Sequence, residues 1–175
     1  MERTVYLALG ARDGGQRNQL VAGLAGLREN GLTLLAASSL WETEPIAIAP
    51  GPPVLNAAVA MRTSLSPPTI LTAGRSVEAA AGRRRSSPEW RSLDVDILLD
   101  GGLILEGPEL TIPHPRFHSR RFNLEPLCEI APDVLHPRLG VTISELLRSC
   151  ADPAWARRIE PPSWAMSVET PATVR

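Results

Sequence analysis

The sequence predicts an α+β protein, a ferredoxin-like βαββαβ sandwich with helices on one face of an antiparallel sheet and added C-terminal segments. Three observations carry that expectation. The stretch 91–99 alternates strictly, with Leu93, Val95, Ile97 and Leu99 on one face and Ser92, Asp94 and Asp96 on the other, which is the period of a strand. Two segments, from about Gln16 and from Pro67, carry helical signals and clear stops. Apolar, strand-like runs stand before, between and after them.

In chain order, Val5 to Leu9 reads as a buried first strand that ends at Gly10. A helix from about Gln16 to Asn30 follows, with Leu20, Leu24 and Leu27 on one stripe and Asn30-Gly31 as its stop. Leu32 to Trp41 reads as one strand, ended by Glu42-Thr43-Glu44-Pro45. Residues 46–53 read as a Pro- and Gly-rich loop. Val54 to Thr63 is the next strand, and Asn56 within it is a polar residue that needs a partner. Ser66 caps a helix whose first residue is Pro67 and which Gly82 stops. Arg83-Arg84-Arg85 opens a loop into the Asp-bearing strand. Beyond it, residues 103–105 and 110–112 suggest a small hairpin, a short helix leads to Cys128, and a last helix runs from Ile143 to Cys150 behind Thr142. The expected division is one main domain over 1–150 and a C-terminal tail over 151–175 that is partly disordered or strapped onto it.

A chain of 175 residues with 43% hydrophobic content suits one soluble globular domain. The net charge of −1 argues against bulk attraction to nucleic acid or membrane. All eighteen basic residues are Arg, which removes every mechanism that needs a lysine base, Schiff base or phosphate-loop lysine. Cys128 and Cys150 have no metal or disulfide spacing, and neither a signal peptide nor a membrane-length apolar run is seen, so a cytoplasmic location is expected.

The chemistry concentrates around the carboxylate pair. Asp94 and Asp96 share a strand face at about 6–7 Å, a costly juxtaposition that a divalent cation relieves. Alone, such a pair also suits a solvated outer face. Arg83, Arg85, Arg91, Arg120 and Arg121 nearby in sequence provide forks for phosphate oxygens, and His114 stands rigidly between Pro113 and Pro115. Taken alone, the arginine run fits a solvated helix end better, where its charge is favourable against the dipole. Glu78, a negative charge in the last turn of its helix, is misplaced against the dipole. His118 and His136 read as surface residues.

These residues resemble a family. Leu7-Ala8-Leu9-Gly10, Glu42-Thr43-Glu44-Pro45, Leu55-Asn56, Gly82-Arg83-x-Arg85, the run from Arg91 to Leu98, and Ile112-Pro113-His114-Pro115 with Arg120-x-Phe122 occur in the order of the 6-hydroxymethyl-7,8-dihydropterin pyrophosphokinases. The resemblance spans about residues 4–148. It implies transfer of diphosphate from ATP to the pterin hydroxymethyl group, in folate biosynthesis, with AMP released. It implies two Mg²⁺ ions on Asp94 and Asp96, with Arg83 and Arg91 beside them in catalysis. ATP would be held by Glu78, Arg83, Arg85, Arg91, Ile97, His114 and Arg120, and the pterin by Thr43, Pro45, Ile46, Asn56 and a stacked Phe122. The sequence departs from the family in Gly10-Ala11-Arg12, in a shortened Pro88-Glu89-Trp90-Arg91 loop, and in Val54 where an aromatic often stands.

The expected partners are these small molecules, with no nucleic acid or membrane, and the chain is expected to be a monomer or weak dimer. Two other readings are a divergent homologue with altered substrate or a non-catalytic nucleotide-binding role, and an RNA-binding sheet. The latter needs exposed aromatics and a basic face, which two Phe, one Tyr and a net charge of −1 do not supply.

Overall fold

A computed structural model describes residues 1–12, 14–44, 52–82 and 92–167. The chain runs β1 (Arg3–Ala11), α1 (Gln16–Glu29), β2 (Thr33–Ala37), β3 (Leu40–Thr43), β4 (Val54–Thr63), α2 (Pro67–Ala80) and β5 (Leu93–Asp100). The hairpin β6 (Leu105–Glu106) and β7 (Thr111–Ile112), α3 (Arg121–Ile130), α4 (Ile143–Ser149) and β8 (Ala156–Glu160) follow. The main sheet has the order β5-β1-β4-β3-β8, with β2 also on β4, and every pairing is antiparallel. This is the expected ferredoxin-like α+β arrangement. None of the described helices is long and apolar enough to cross a membrane.

The helices form where the sequence signals them. Ser66 Oγ accepts the Thr69 N–H and Pro67 follows it, while Thr142 and Glu145 close a reciprocal capping box on α4. Leu20, Leu24 and Leu27 of α1 pack with Ile70, Ala73 and Val77 of α2 against Leu7, Leu9, Val59, Val95 and Ile97. A Cβ on Gly26 would fall 2.8 Å from Val77 Cγ2, so the close crossing of α1 and α2 needs glycine there.

Four details differ from the sequence reading. The expected strand from Leu32 to Trp41 is two strands, broken at Ser38-Ser39. Ser38 N donates to the Ala58 carbonyl (2.9 Å), but the Ala58 N–H turns to the Ser38 hydroxyl (2.9 Å), so a side chain replaces a backbone acceptor in the ladder. Leu99 does not share a face with Leu93, Val95 and Ile97. Tyr6 pairs with Leu99 and Leu7 with Ile97, leaving Leu98 as an inserted residue that reverses the alternation beyond it. Helices cover both faces of the sheet, because Leu124, Leu127, Ile143 and Leu146 of α3 and α4 bury Ala58, Leu98, Leu99 and Phe117 in a second cluster opposite α1 and α2. His136 is not on the surface: it is 3% exposed, stacks on Phe117 at 5.3 Å, and its Nδ1 accepts the backbone N–H groups of Arg138 and Leu139 at 3.3 Å.

The described part of the chain beyond residue 150 is strapped onto the domain. β8 extends the sheet on β3, Arg17 reaches Glu160 at 3.0 Å, and Arg157 pairs with Glu42. Trp164 is fully buried in the first core cluster and its Nε1 donates to the Ser38 carbonyl at 2.8 Å. Trp164→Ala removes a core aromatic and leaves that carbonyl unpaired, so it is expected to cost about 3–5 kcal/mol in urea unfolding. A loss below about 1 kcal/mol would show that the strap is dispensable to the core.

Burial, then the neighbouring His118 and Arg138, holds His136 below the ordinary histidine pKa, against a backbone hydrogen bond that raises it. The unfolded chain therefore takes up the proton first. Stability is full above pH ~6.5 and falls as pH drops from there through the lowered native value. His136→Asn keeps a side-chain acceptor without the titration, and denaturation between pH 7 and 5 is expected to show a shallower slope than in the wild type.

Candidate active site

The site grows from four strands in register. Asp94 of β5 lies opposite Gly10 of β1, Gly10 lies opposite Asn56 of β4, and Asn56 lies opposite Trp41 of β3. One step along, Asp96, Ala8 and Ala58 form a second row. Directly opposed residues point to the same side, so carboxylates and carboxamide share one face with small residues between them. Two strand spacings put the Asp94 and Asn56 backbones roughly 10 Å apart. A Cβ on Gly10 would fall 3.1 Å from Asn56 Oδ1, so the glycine keeps the floor between them open.

On the acidic side, Asp94 is exposed and Asp96 half-buried. The His114 backbone N–H donates to the Leu98 carbonyl (3.0 Å) and ties the segment after β7 to β5. Burial lowers the His114 pKa, the positive charges of Arg120 and Arg116 lower it further, and Asp94 pulls the other way. Arg120 in turn senses Asp96, Asp152 and Asp94 as stabilising charges against its own burial and Arg116. These mutual influences place Asp94, Asp96, His114 and Arg120 in one electrostatic cluster. Arg116 N donates to His114 Nδ1 at 3.2 Å, so the neutral imidazole carries its proton on Nε2. The Arg120 guanidinium lies 5.5 Å from the centre of the Phe122 ring, within cation–π range.

On the far side, the Asn56 amide donates to Thr43 Oγ1 at 2.7 Å, which answers the need for a partner in mid-strand. Val54 lies opposite Thr43 and is buried. Trp41 is pinned from α3: Glu129 accepts from its Nε1 at 3.0 Å and from the Ser39 N–H and hydroxyl at 3.1 and 2.7 Å.

β5 is an edge strand, and its outer edge is used. Glu78, 6% exposed at the end of α2, accepts the Val95 N–H at 2.9 Å. A cleft of about 270 Å³ opens along the same edge, lined by Leu71, Ile97, Leu110 and Thr111, with Asp96 and His114 also on its wall. Sequence reasoning named Ile97 but missed Leu71, Leu110 and Thr111. Their signal was the hairpin turn at Gly107-Pro108 folding back over the last β-strand of the βαββαβ unit.

Of the residues expected at the site, Asp94, Asp96, His114, Arg120 and Phe122 come together, Thr43 and Asn56 face them across Gly10, and Glu78 and Ile97 line the β5 edge. Pro45, Ile46, Arg83, Arg85 and Arg91 lie outside the described residues. Arg121, expected to bind phosphate, is engaged elsewhere: its guanidinium binds Glu125 Oε1 (3.1 Å) and the Asp152 carbonyl (3.2 Å).

Residues 6–132 match the sequence profile of the 7,8-dihydro-6-hydroxymethylpterin-pyrophosphokinase (HPPK) family. The chain belongs to this family. It is 37% identical over 153 residues to the 2-amino-4-hydroxy-6-hydroxymethyldihydropteridine pyrophosphokinase of Pseudomonas aeruginosa, covering 86% of this chain and 93% of that one. It is 45% identical over 100 residues to the enzyme of the same name from Synechocystis, covering 56% of this chain and 51% of that one. Wild-type Plasmodium falciparum HPPK-DHPS shares the fold at a TM-score of 0.66 and 16% identity, over 85% of this chain and 44% of the longer protein. This HPPK chain therefore spans under half the length of that structural neighbour.

Glu78→Ala leaves the Val95 N–H at the edge of β5 without its carboxylate. It is expected to cost about 1–3 kcal/mol in thermal or urea unfolding, whereas Glu78→Gln keeps an acceptor and costs less. Equal losses in the two variants would rule out the edge hydrogen bond as the cause.

Proposed function

We propose that this HPPK transfers diphosphate from ATP to the hydroxymethyl group of 6-hydroxymethyl-7,8-dihydropterin and releases AMP. One observation supports this reading above the others. The acidic and cationic cluster of Asp94, Asp96, His114 and Arg120 faces the Asn56–Thr43 pair across the small floor of Gly10 and Ala8. A phosphate chain and a flat polar ring need those two surfaces side by side.

The cleft along β5 suits the nucleotide base, with apolar walls at Leu71, Ile97 and Leu110 and an end at Asp96 and His114 where the phosphates begin. His114 stays neutral near pH 7 because burial and two arginines hold its pKa down, and it presents an Nε2–H donor to a phosphate oxygen. Arg120 balances charge on the transferring group, and Arg83, Arg85 and Arg91 would add forks to it. On the ring side, Asn56, held by Thr43, would hydrogen-bond the pterin edge together with Pro45 and Ile46, and Phe122 would stack on one ring face. Val54 gives the second wall no aromatic, which forgoes about 0.5–1.5 kcal/mol of stacking.

Two carboxylates on one strand face fit Mg²⁺, which keeps several waters and takes one or two carboxylates plus substrate phosphates. Asp94 and Asp96 would hold the two expected ions. When bound there, Mg²⁺ would supply positive charge to balance the phosphate oxygens. In the transfer, the pterin hydroxyl oxygen bonds to the β-phosphorus and gives up its proton to water, while the β-phosphorus bond to the oxygen that bridges to the α-phosphate breaks and AMP departs with that oxygen. The proposed state is a monomer or weak dimer, and the proposed setting is the cytoplasm.

The test is AMP release from ATP with hydroxymethyl-dihydropterin present. Activity is expected with Mg²⁺, to vanish with excess EDTA, and to fall about a hundredfold or more in Asp94→Ala and in Asp96→Ala. AMP release that ignores both substitutions, or that needs no pterin, would overturn the reading.

A further inference from the structure

We infer that Asp152, in the segment between α4 and β8, is a positioning residue that sets Arg120 and Phe122 in the site by clasping the first turn of α3. The inference rests on the diphosphate-transfer reading above and assigns a part of it to a stretch beyond residues 6–132, where the family profile matches.

A helix begins with backbone N–H groups that have no partner within the helix. The residue before α3 is Arg120, whose side chain makes no capping hydrogen bond. The cap comes instead from a residue distant in sequence: Asp152 Oδ2 accepts the Arg121 N–H at 2.9 Å. Asp152 Oδ1 accepts the Ala154 N–H at 3.0 Å, which fixes the carboxylate's own orientation. Arg121 closes the clasp from the other side, with Nε on the Asp152 carbonyl (3.2 Å) and Nη2 on the Cys150 carbonyl (3.4 Å).

The two residues that flank the clasped Arg121 are Arg120 and Phe122, one facing the phosphates and the other the ring in the proposed reaction. Their geometry depends on where the helix starts, and Asp152 determines that start. Its charge also favours the Arg120 cation against the burial that weakens it. Further along the same segment, β8 and Trp164 anchor the strap to β3 and the core. The clasp is therefore held at both ends.

The test uses the full chain and measures AMP release at varied ATP and pterin. Asp152→Ala is expected to raise KM for both substrates about tenfold with a smaller change in kcat. Asp152→Asn keeps one oxygen for the Arg121 N–H but loses the charge and the second acceptor, and is expected to raise KM clearly less than Asp152→Ala. Arg121→Ala should resemble Asp152→Ala, and the double variant should be no worse than either alone. Thr142→Ala, which opens the α4 capping box outside the site, controls for stability and is expected to leave KM unchanged at a comparable loss of Tm. Wild-type KM values in Asp152→Ala, or the same rise in Thr142→Ala, would overturn the inference. A wild type that releases no AMP overturns the reaction instead. Calorimetric affinity for α,β-methylene ATP with Mg²⁺, weakened about tenfold in Asp152→Ala and less in Asp152→Asn, then decides the role of Asp152 without turnover. Equal affinity in all three proteins refutes it.

Discussion

The site depends on one extra residue in β5. Asp94, Asp96 and Asp100 have the same parity, and a regular strand would turn all three to one face. That face becomes apolar towards the end of β5, where Leu124, Leu127 and Phe117 cover Ala58. A third carboxylate there would be buried without a partner, at a cost of several kcal/mol. Leu98 is inserted where Tyr6 pairs with Leu99 and Leu7 with Ile97, and the faces exchange at that point. Asp100 therefore turns to the side of Arg3, which binds it through Nε and, at 2.7 Å, through Nη2. Asp94 and Asp96 keep the open side. The bulge separates a structural carboxylate from two that can serve a ligand.

The same register explains why the floor is made of small residues. In the proposed reaction a cation, a phosphate chain and a planar ring would lie side by side on two rows of the sheet. A large side chain at position 10 would stand between Asp94 and Asn56, and one at position 8 would stand beside Asp96. Gly10 is the tightest case, since even a methyl group there meets the Asn56 carboxamide. Asn56 in turn is fixed by Thr43, and Trp41 of β3 and Ser39 just before it are fixed by Glu129 of α3. The helix that carries Phe122 thus also holds the strand that carries Thr43.

Much of this was legible in the sequence because it follows from local signals. Alternation gave the strand with its paired carboxylates, and Ser66-Pro67 and Thr142 marked two helix starts that the structure bears out with capping hydrogen bonds. The order of apolar segments gave the βαββαβ sheet. What was not legible depends on contacts between residues distant in the chain. The break at Ser38-Ser39 needs Ala58 as its partner. The burial of His136 needs Phe117 beneath it. The reversal of Leu99 needs the pairing with β1, because an inserted residue leaves no mark in an apolar run. Arg121 looked as suited to phosphate as Arg120, and only the clasp with Asp152 tells them apart.

That contrast between adjacent arginines bears on how the chain handles anions without lysine. An arginine fork serves either as a free ligand for phosphate or as a rigid tie between carbonyls and carboxylates, and its planar geometry suits both. At the start of α3 the two uses stand side by side. Arg121 is spent on Glu125 and on the carbonyls of Cys150 and Asp152, so its charge is already matched. Arg120 lies against the face of Phe122, where a cation is held by a ring quadrupole that leaves its N–H donors available. Rigidity in the first residue is what gives direction to the second. In a site where positioning and charge balance carry most of the catalysis, a tie of this kind matters as much as the groups that meet the substrate.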